Sequence, residues 1–111
     1  MNSASELTIV IPCYNEQDSL QEFLPVLLNY AKERNWKVVL TNDGSTDSTQ
    51  NILNQYISYD NFKVVSHKVN KGYGGALKSA IKIVDTEYLI SVDADGQHYP
   101  EDIDLLFKKM K

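Results

Sequence analysis

Cysteine, proline and tryptophan are scarce in this 111-residue chain, with one, three and one copies. The lone thiol, Cys13, excludes an internal disulfide and suits a reducing compartment. A basic excess is missing too. Lys and Arg total 11 against 15 Asp and Glu, a formal net charge of −4. That is the reverse of a nucleic-acid footprint, so no nucleic-acid partner is expected. The stretch Lys68, Lys71, Lys78 and Lys82 reads first as a solvated helix face and second as an attraction for phosphate. No apolar run approaches the ~20 residues that cross a bilayer. The start, Met1 to Glu6, lacks the basic and apolar segments of a secretory signal, so a cytoplasmic location is expected. His98 reads as a polar loop residue, because zinc would want more nitrogen or sulfur ligands. Two nucleotide signatures are also absent. No Walker sequence occurs, and Gly72-x-Gly74-Gly75 is not the G-x-G-x-x-G of dinucleotide-binding folds. That fingerprint belongs after the first strand, where Pro12-Cys13-Tyr14 carries no glycine, which argues against a dehydrogenase.

What remains is an ordinary globular composition, 42% hydrophobic and 23% charged, sized for a single domain over residues 1–111. Four strand-then-helix units follow in order. Leu7 to Ile11 is a strand that Pro12 should stop. Helical spacing follows at Leu20, Phe23, Leu24, Leu27 and Leu28, and Pro25 should kink or restart that helix. Lys37 to Thr41 is the second strand. Its helix, capped by Ser45 or Asp47, presents Ile52, Leu53, Tyr56 and Ile57 on one face. Phe62 to Ser66 is the third strand. A glycine loop, Asn70 to Gly75, leads into a helix with Leu77, Ala80, Ile81 and Val84 inward. Tyr88 to Val92 is the fourth strand. A helix begins near Pro100 and buries Ile103, Leu106, Phe107 and Met110. Trp36 should pack at the amino-end rim of the sheet and His67 should be structural. Apolar strands separated by amphipathic helices predict an α/β fold, a mostly parallel sheet with helices on both faces.

In a parallel sheet the loops after the strands emerge along one edge, and ligands of open α/β sheets bind there. That edge gathers Tyr14, Glu16, Asp43, Lys71, Asp93 and Asp95. Asp93-Ala94-Asp95-Gly96 follows the last strand. Side chains two apart in an extended chain point the same way. Two carboxylates facing one spot repel unless a cation lies between them, and hard oxygen ligands suit Mg²⁺ or Mn²⁺ carrying substrate phosphates. The competing reading is a solvated Asp/Gly turn. A calcium-binding helix–loop–helix is excluded because the glycine comes too early. Asp43 could likewise be a turn former, Glu16 a first-turn charge and Tyr14 a half-buried aromatic. Cys13 has no neighbouring His and reads as a small buried residue.

Together, Ile9-Val10-Ile11-Pro12-Cys13-Tyr14-Asn15-Glu16, Asn42-Asp43-Gly44-Ser45-Thr46-Asp47, Asn70-Lys71-Gly72-Tyr73-Gly74-Gly75-Ala76 and Asp93-Ala94-Asp95-Gly96-Gln97-His98 resemble the inverting family 2 glycosyltransferases. With Tyr99-Pro100-Glu101-Asp102 added, the last block is most similar to the dolichyl- or polyprenyl-phosphate hexosyltransferase branch. The resemblance implies a Rossmann-like, A-type glycosyltransferase fold in truncated form, and a UDP- or GDP-linked sugar donor. It implies a donor-binding set of Pro12 (through its backbone), Tyr14, Glu16, Asp43, Lys71, Gly72, Asp93, Ala94 and Gln97. Asp93 and Asp95 would hold Mg²⁺ or Mn²⁺. The acceptor would be a lipid phosphate or a glycan, with work at the cytoplasmic face of a membrane in building envelope polysaccharide. Asn42 stands where many members have a second Asp. The half of the family fold that carries the acceptor site and catalytic base is not matched, so no catalytic base is assigned. Two other classes are weighed. One is a donor-binding module without turnover. The other is a nucleotidyltransferase, which would want a glycine-rich basic loop where Pro12 to Glu16 stand. An open sheet edge further predicts a dimer or a partner-covered state.

Overall fold

The computed structural model describes residues 5–95 and 100–111. Strands and helices alternate throughout them: β1 (Leu7–Cys13), α1 (Gln17–Glu33), β2 (Lys37–Asp43), α2 (Thr49–Asn54), β3 (Phe62–His67), α3 (Gly72–Ile81), β4 (Tyr88–Ser91) and α4 (Pro100–Met110). The sheet is parallel, in the order β3-β2-β1-β4. This is the α/β, Rossmann-like architecture expected. Its handedness follows from the order. The chain steps outward from β1 to β3 with α1 and α2 on one face. Returning across the sheet to β4, it must put α3 on the other face to keep the crossover right-handed.

Side-chain alternation divides the core accordingly. Leu7, Ile9 and Ile11 of β1 and Val38 and Leu40 of β2 pack with Leu20, Leu24, Leu27 and Leu28 of α1, Ile52 and Leu53 of α2, and Ile103 and Phe107 of α4. On the opposite face Val10 and Val39 meet Ala80 of α3, joined by the half-buried Val65, Leu77, Val84 and Leu89. At the amino rim Trp36 is 4% exposed. Its ring lies 5.8 Å from Tyr30 and 5.9 Å from Phe107.

Both interior prolines behave differently from expectation. β1 continues through Pro12 to Cys13, pairing Pro12 with Thr41 of β2. The Val10 carbonyl accepts from Val92 on the β4 side. Two residues on, the missing Pro12 N–H falls on that same side, past the last β4 pair, where no ladder bond is lost. α1 runs unbroken through Pro25. Its flanking Phe23, Leu24, Leu27 and Leu28 are all buried. Four buried apolar side chains, each worth about 1.5–3 kcal/mol, outweigh the ~3 kcal/mol that an interior proline costs. The glycine segment is no loop: α3 starts at Gly72 and takes in Gly74 and Gly75. Four residues expected inside are exposed: Ile57 at 55%, Ile81 at 40%, Leu106 at 49% and Met110 at 40%. α2 ends at Asn54, before its expected face reaches Ile57. No helix among the described residues is long and apolar enough to cross a membrane.

Candidate functional site

The carboxyl ends of β1 and β4 flank the point where strand order reverses, and an open parallel sheet forms a crevice there. A cleft of about 360 Å³ occupies that place. Pro12, Cys13, Tyr14 and Glu16 line it from the first strand end, Asp43 from the second, Asn70 from the β3–α3 connection, Gly72, Tyr73 and Ala76 from the start of α3, and Asp93, Ala94 and Asp95 from the fourth strand end.

Polar links between loops shape one wall. Asn15 adopts φ 52°, a left-handed conformation that asparagine tolerates. Its Oδ1 accepts from the Thr46 amide at 2.8 Å and the Asp47 amide at 3.3 Å, while its own N–H donates to Ser45 Oγ at 3.0 Å. The Glu16 amide donates to Thr49 Oγ1 at 3.1 Å, and the Ser48 amide to Gln17 Oε1 at 2.8 Å. Asp47 bonds to the first residue of two helices, α1 and α2: Oδ1 accepts from the Thr49 amide at 2.9 Å and Oδ2 from the Gln17 amide at 3.4 Å. Desolvation alone would raise its pKa, but these hydrogen bonds prevail and hold the carboxyl below its usual range. The N-cap residue of α2 is Ser48, with no side-chain cap hydrogen bond, in place of the expected Ser45 or Asp47; Ser45 steadies Asn15 instead. The consequence is a fixed seat for Tyr14, 46% exposed at the mouth of the cleft.

Asp43 forms the floor and is 2% exposed. Its Oδ1 accepts from the Lys71 amide at 2.8 Å and its Oδ2 from the Gly72 amide at 2.9 Å. His67 Nδ1 lies 2.7 Å from Oδ1. Burial pushes the carboxyl upward, but the hydrogen bonds from His67, Lys71 and Gly72 outweigh it and keep the group low and ionised. Asn42, beside it, is turned to structure: its Nδ2 donates to Gln50 Oε1 at 2.7 Å and its Oδ1 accepts from the Ser45 amide at 3.3 Å. Gly72 has φ 86°, a conformation that costs L-residues roughly 1–2 kcal/mol, and this aims its amide at Asp43.

Across the cleft Asp93 and Asp95 are exposed, with Ala94 buried between them. Both residues line the same cleft. Among the described residues no group of three or more His, Cys, Asp or Glu converges as a closed metal cage. Two exposed hard-oxygen donors beside an open cleft fit a Mg²⁺ or Mn²⁺ ion that keeps most of its shell for phosphate oxygens and water.

Pro12, Tyr14, Glu16, Asp43, Gly72, Asp93, Ala94 and Asp95 therefore come together. Lys71 is not among the lining residues; it is exposed, and its link to the site is the amide on Asp43. Gln97 and His98 lie outside the described residues. Cys13 lies against the cleft, and burial, then the charges of Glu16 and Asp47, push its thiol up to about 12. It is no nucleophile at neutral pH. Sequence reasoning missed Asn70, Tyr73, Ala76 and the partnership of His67 with Asp43. For Tyr73, 59% exposed, the signal was an aromatic set among glycines.

Comparison with known proteins agrees with this fold. The family model of glycosyl transferase family 2 matches residues 8–111. A dolichyl-phosphate beta-glucosyltransferase from Trichomonas vaginalis is 34% identical over 95% of this chain, which spans 35% of that protein. A poly(ribitol-phosphate) beta-glucosyltransferase from Bacillus spizizenii is 41% identical over 81% of the chain, which spans 15% of it. Among solved structures, S. aureus TarS 1–349 in complex with UDP-GlcNAc superposes with a TM-score of 0.77 at 26% identity, over 93% of this chain and 30% of that one.

Proposed function

Since the chain belongs to glycosyl transferase family 2, we propose that it binds the donor for sugar transfer from a nucleotide diphosphate sugar, UDP- or GDP-linked, to a lipid-phosphate or glycan acceptor, with inversion at the anomeric carbon. One observation carries the reading: residues from four separate strand ends, Tyr14 and Glu16, Asp43, Gly72, and Asp93 with Asp95, border one cleft at the switch point of the sheet. Tyr14 offers a ring to a base and Asp43 a buried acceptor for a base N–H. Asp93 and Asp95 would hold the divalent cation, which when bound supplies charge neutralisation for the diphosphate. Such neutralisation would favour the departing diphosphate over the bound donor, the kind of binding that accelerates transfer. The relatives named above, a dolichyl-phosphate and a poly(ribitol-phosphate) glucosyltransferase, support the acceptor classes. Assembly of envelope polysaccharide at the cytoplasmic face of a membrane is the setting this chemistry suits.

Calorimetric titration of the chain with UDP- and GDP-sugars, with and without Mn²⁺, tests the reading. The expected result is Mn²⁺-dependent binding that Asp95→Ala weakens about 100-fold. Absence of heat for every nucleotide sugar, or binding indifferent to both Mn²⁺ and Asp95, would overturn it.

A further inference from the structure

Alternation along β2 sends Val39, Thr41 and Asp43 to the face that α3 covers. Val39 packs with Ala80, and the Thr41 hydroxyl donates to the Ala76 carbonyl at 2.9 Å. On β3, Val65 joins the same cluster, and His67 follows two residues later. Asp43 and His67 are register partners, so their side chains meet under α3. There His67 Nδ1 lies 2.7 Å from Asp43 Oδ1, and His67 Nε2 lies 2.7 Å from Ser79 Oγ. The His67 and Asp43 side chains are 6% and 3% exposed. An ionised carboxylate only accepts, so Nδ1 carries a proton. The Ser79 hydroxyl, which can donate or accept, meets Nε2 on the other side of the ring. The order Ser–His–Asp invites a nucleophile reading, but neither Ser79 nor His67 lines the cleft. The chain of bonds acts through Asp43.

Counting acceptors shows what is left for a ligand. A carboxylate offers about four lone-pair positions. Oδ1 uses two, for His67 and the Lys71 amide, and Oδ2 uses one, for the Gly72 amide. One position remains, on Oδ2. Uracil presents a single ring N–H between two carbonyls. Guanine presents a ring N–H beside an amino group, a two-donor edge that grips a carboxylate through both oxygens.

We propose that His67 is a positioning residue for the donor: by occupying Oδ1 from behind and anchoring on Ser79, it fixes Asp43 with one acceptor facing the cleft, which selects a base with one ring N–H, as in uracil, over guanine. This rests on the reading that the cleft takes a nucleotide diphosphate sugar. Histidine at this position can be dissected, since the amide nitrogen of Asn stands where Nδ1 stands and that of Gln where Nε2 stands. His67→Asn keeps the donor to Asp43, and His67→Gln keeps the contact with Ser79 alone.

The test titrates the chain and both variants with UDP and with GDP in the presence of Mn²⁺, beside thermal melts of each protein. Wild type should bind UDP at least about tenfold more tightly than GDP, the worth of one well-placed hydrogen bond to a charged group. His67→Asn should recover most of that affinity and its preference. His67→Gln should lose about tenfold for UDP and narrow the UDP:GDP ratio even where its melting temperature matches that of His67→Asn. A merely structural histidine would move the melts and leave the ratio alone. A wild-type preference for GDP overturns the inference without any variant, which covers the case in which the variants fail to fold. An unchanged ratio in His67→Gln overturns it too, while the donor site itself stands. If neither nucleotide binds the wild type, the donor-site reading falls and this inference with it.

Discussion

The two rims of the sheet are built from opposite materials. At the amino rim Tyr30, Trp36, Tyr88 and Phe107 lie with ring centroids 5.6–5.9 Å apart, Phe107 edge to face with Trp36 and Tyr88, and Tyr30 tilted against Trp36. Arg34 lies 3.4 Å above the Tyr30 ring and reaches Asp104 Oδ2 at 3.1 Å. At the carboxyl rim short polar side chains, Asn15, Asp43, Asp47 and Thr49, bond to loop amides around an open cleft. The amino rim gains from apolar area removed from water, which is non-directional and tolerant of small shifts. The carboxyl rim gains from directed hydrogen bonds that fix where acceptors point. Stability is concentrated at one end and ligand geometry at the other, so mutations at the two ends should separate the two properties.

The largest expected effect is at the amino rim. Trp36→Ala should cost about 3–5 kcal/mol of stability, read from a denaturant midpoint, while folded molecules keep their nucleotide affinity. A parallel loss of affinity would erase the contrast. Asp95→Ala should do the converse: Mn²⁺-dependent nucleotide binding weakened about 100-fold, roughly 2.7 kcal/mol, with a melting temperature close to wild type. Gly44→Ala sharpens the comparison because it strikes both properties from the carboxyl rim. Gly44 has φ 72°, and a Cβ there would lie 2.6 Å from the Asn70 amide nitrogen and 2.8 Å from the Val69 carbonyl carbon. Strain and displacement of the β3–α3 connection should cost about 2 kcal/mol or more, and affinity should fall with it, seen by melting and titration of one sample.

Acid should expose the smallest difference. Asp43 and Asp47 are both held below their unfolded value of 3.8. A depressed folded pKa gives stability that is complete above the unfolded value and is lost as pH falls below 3.8 toward the folded one. Stability plotted against pH should bend downward below about pH 4, and Asp43→Asn should flatten that bend, while Trp36→Phe should leave its shape unchanged. Equal flattening by both variants would show that the bend does not report on the cleft.

Much of this was legible beforehand because the cues are local. Alternating apolar runs and helical spacing gave the four strands and four helices, and Asp93-Ala94-Asp95 was recognisable as a rim pair. The misreadings have a common cause. Pro12 and Pro25 are breakers when judged alone, but one lost its N–H where β4 no longer pairs, and the other sits in a helix held by buried neighbours. Glycines 72, 74 and 75 suggested a loop, yet a helix's first turn needs no partner for its amides, and here two of those amides found Asp43. Ile81 and Leu106 have the right spacing but lie at the edges of their buried stripes, where a small helix rotation decides exposure.

By itself the sequence determined the alternation of strand and helix, the parallel sheet and the gathering of Tyr14, Asp43, Asp93 and Asp95 on one edge, since periodicity and chain connectivity suffice for these. Only the tertiary structure decided what Asp43 does there. Its partner His67 is 24 positions away along the chain, and the two meet because β2 and β3 pair in one register with both side chains turned under α3. A shift of one residue would send them to opposite faces, and nothing local in either segment states which register wins.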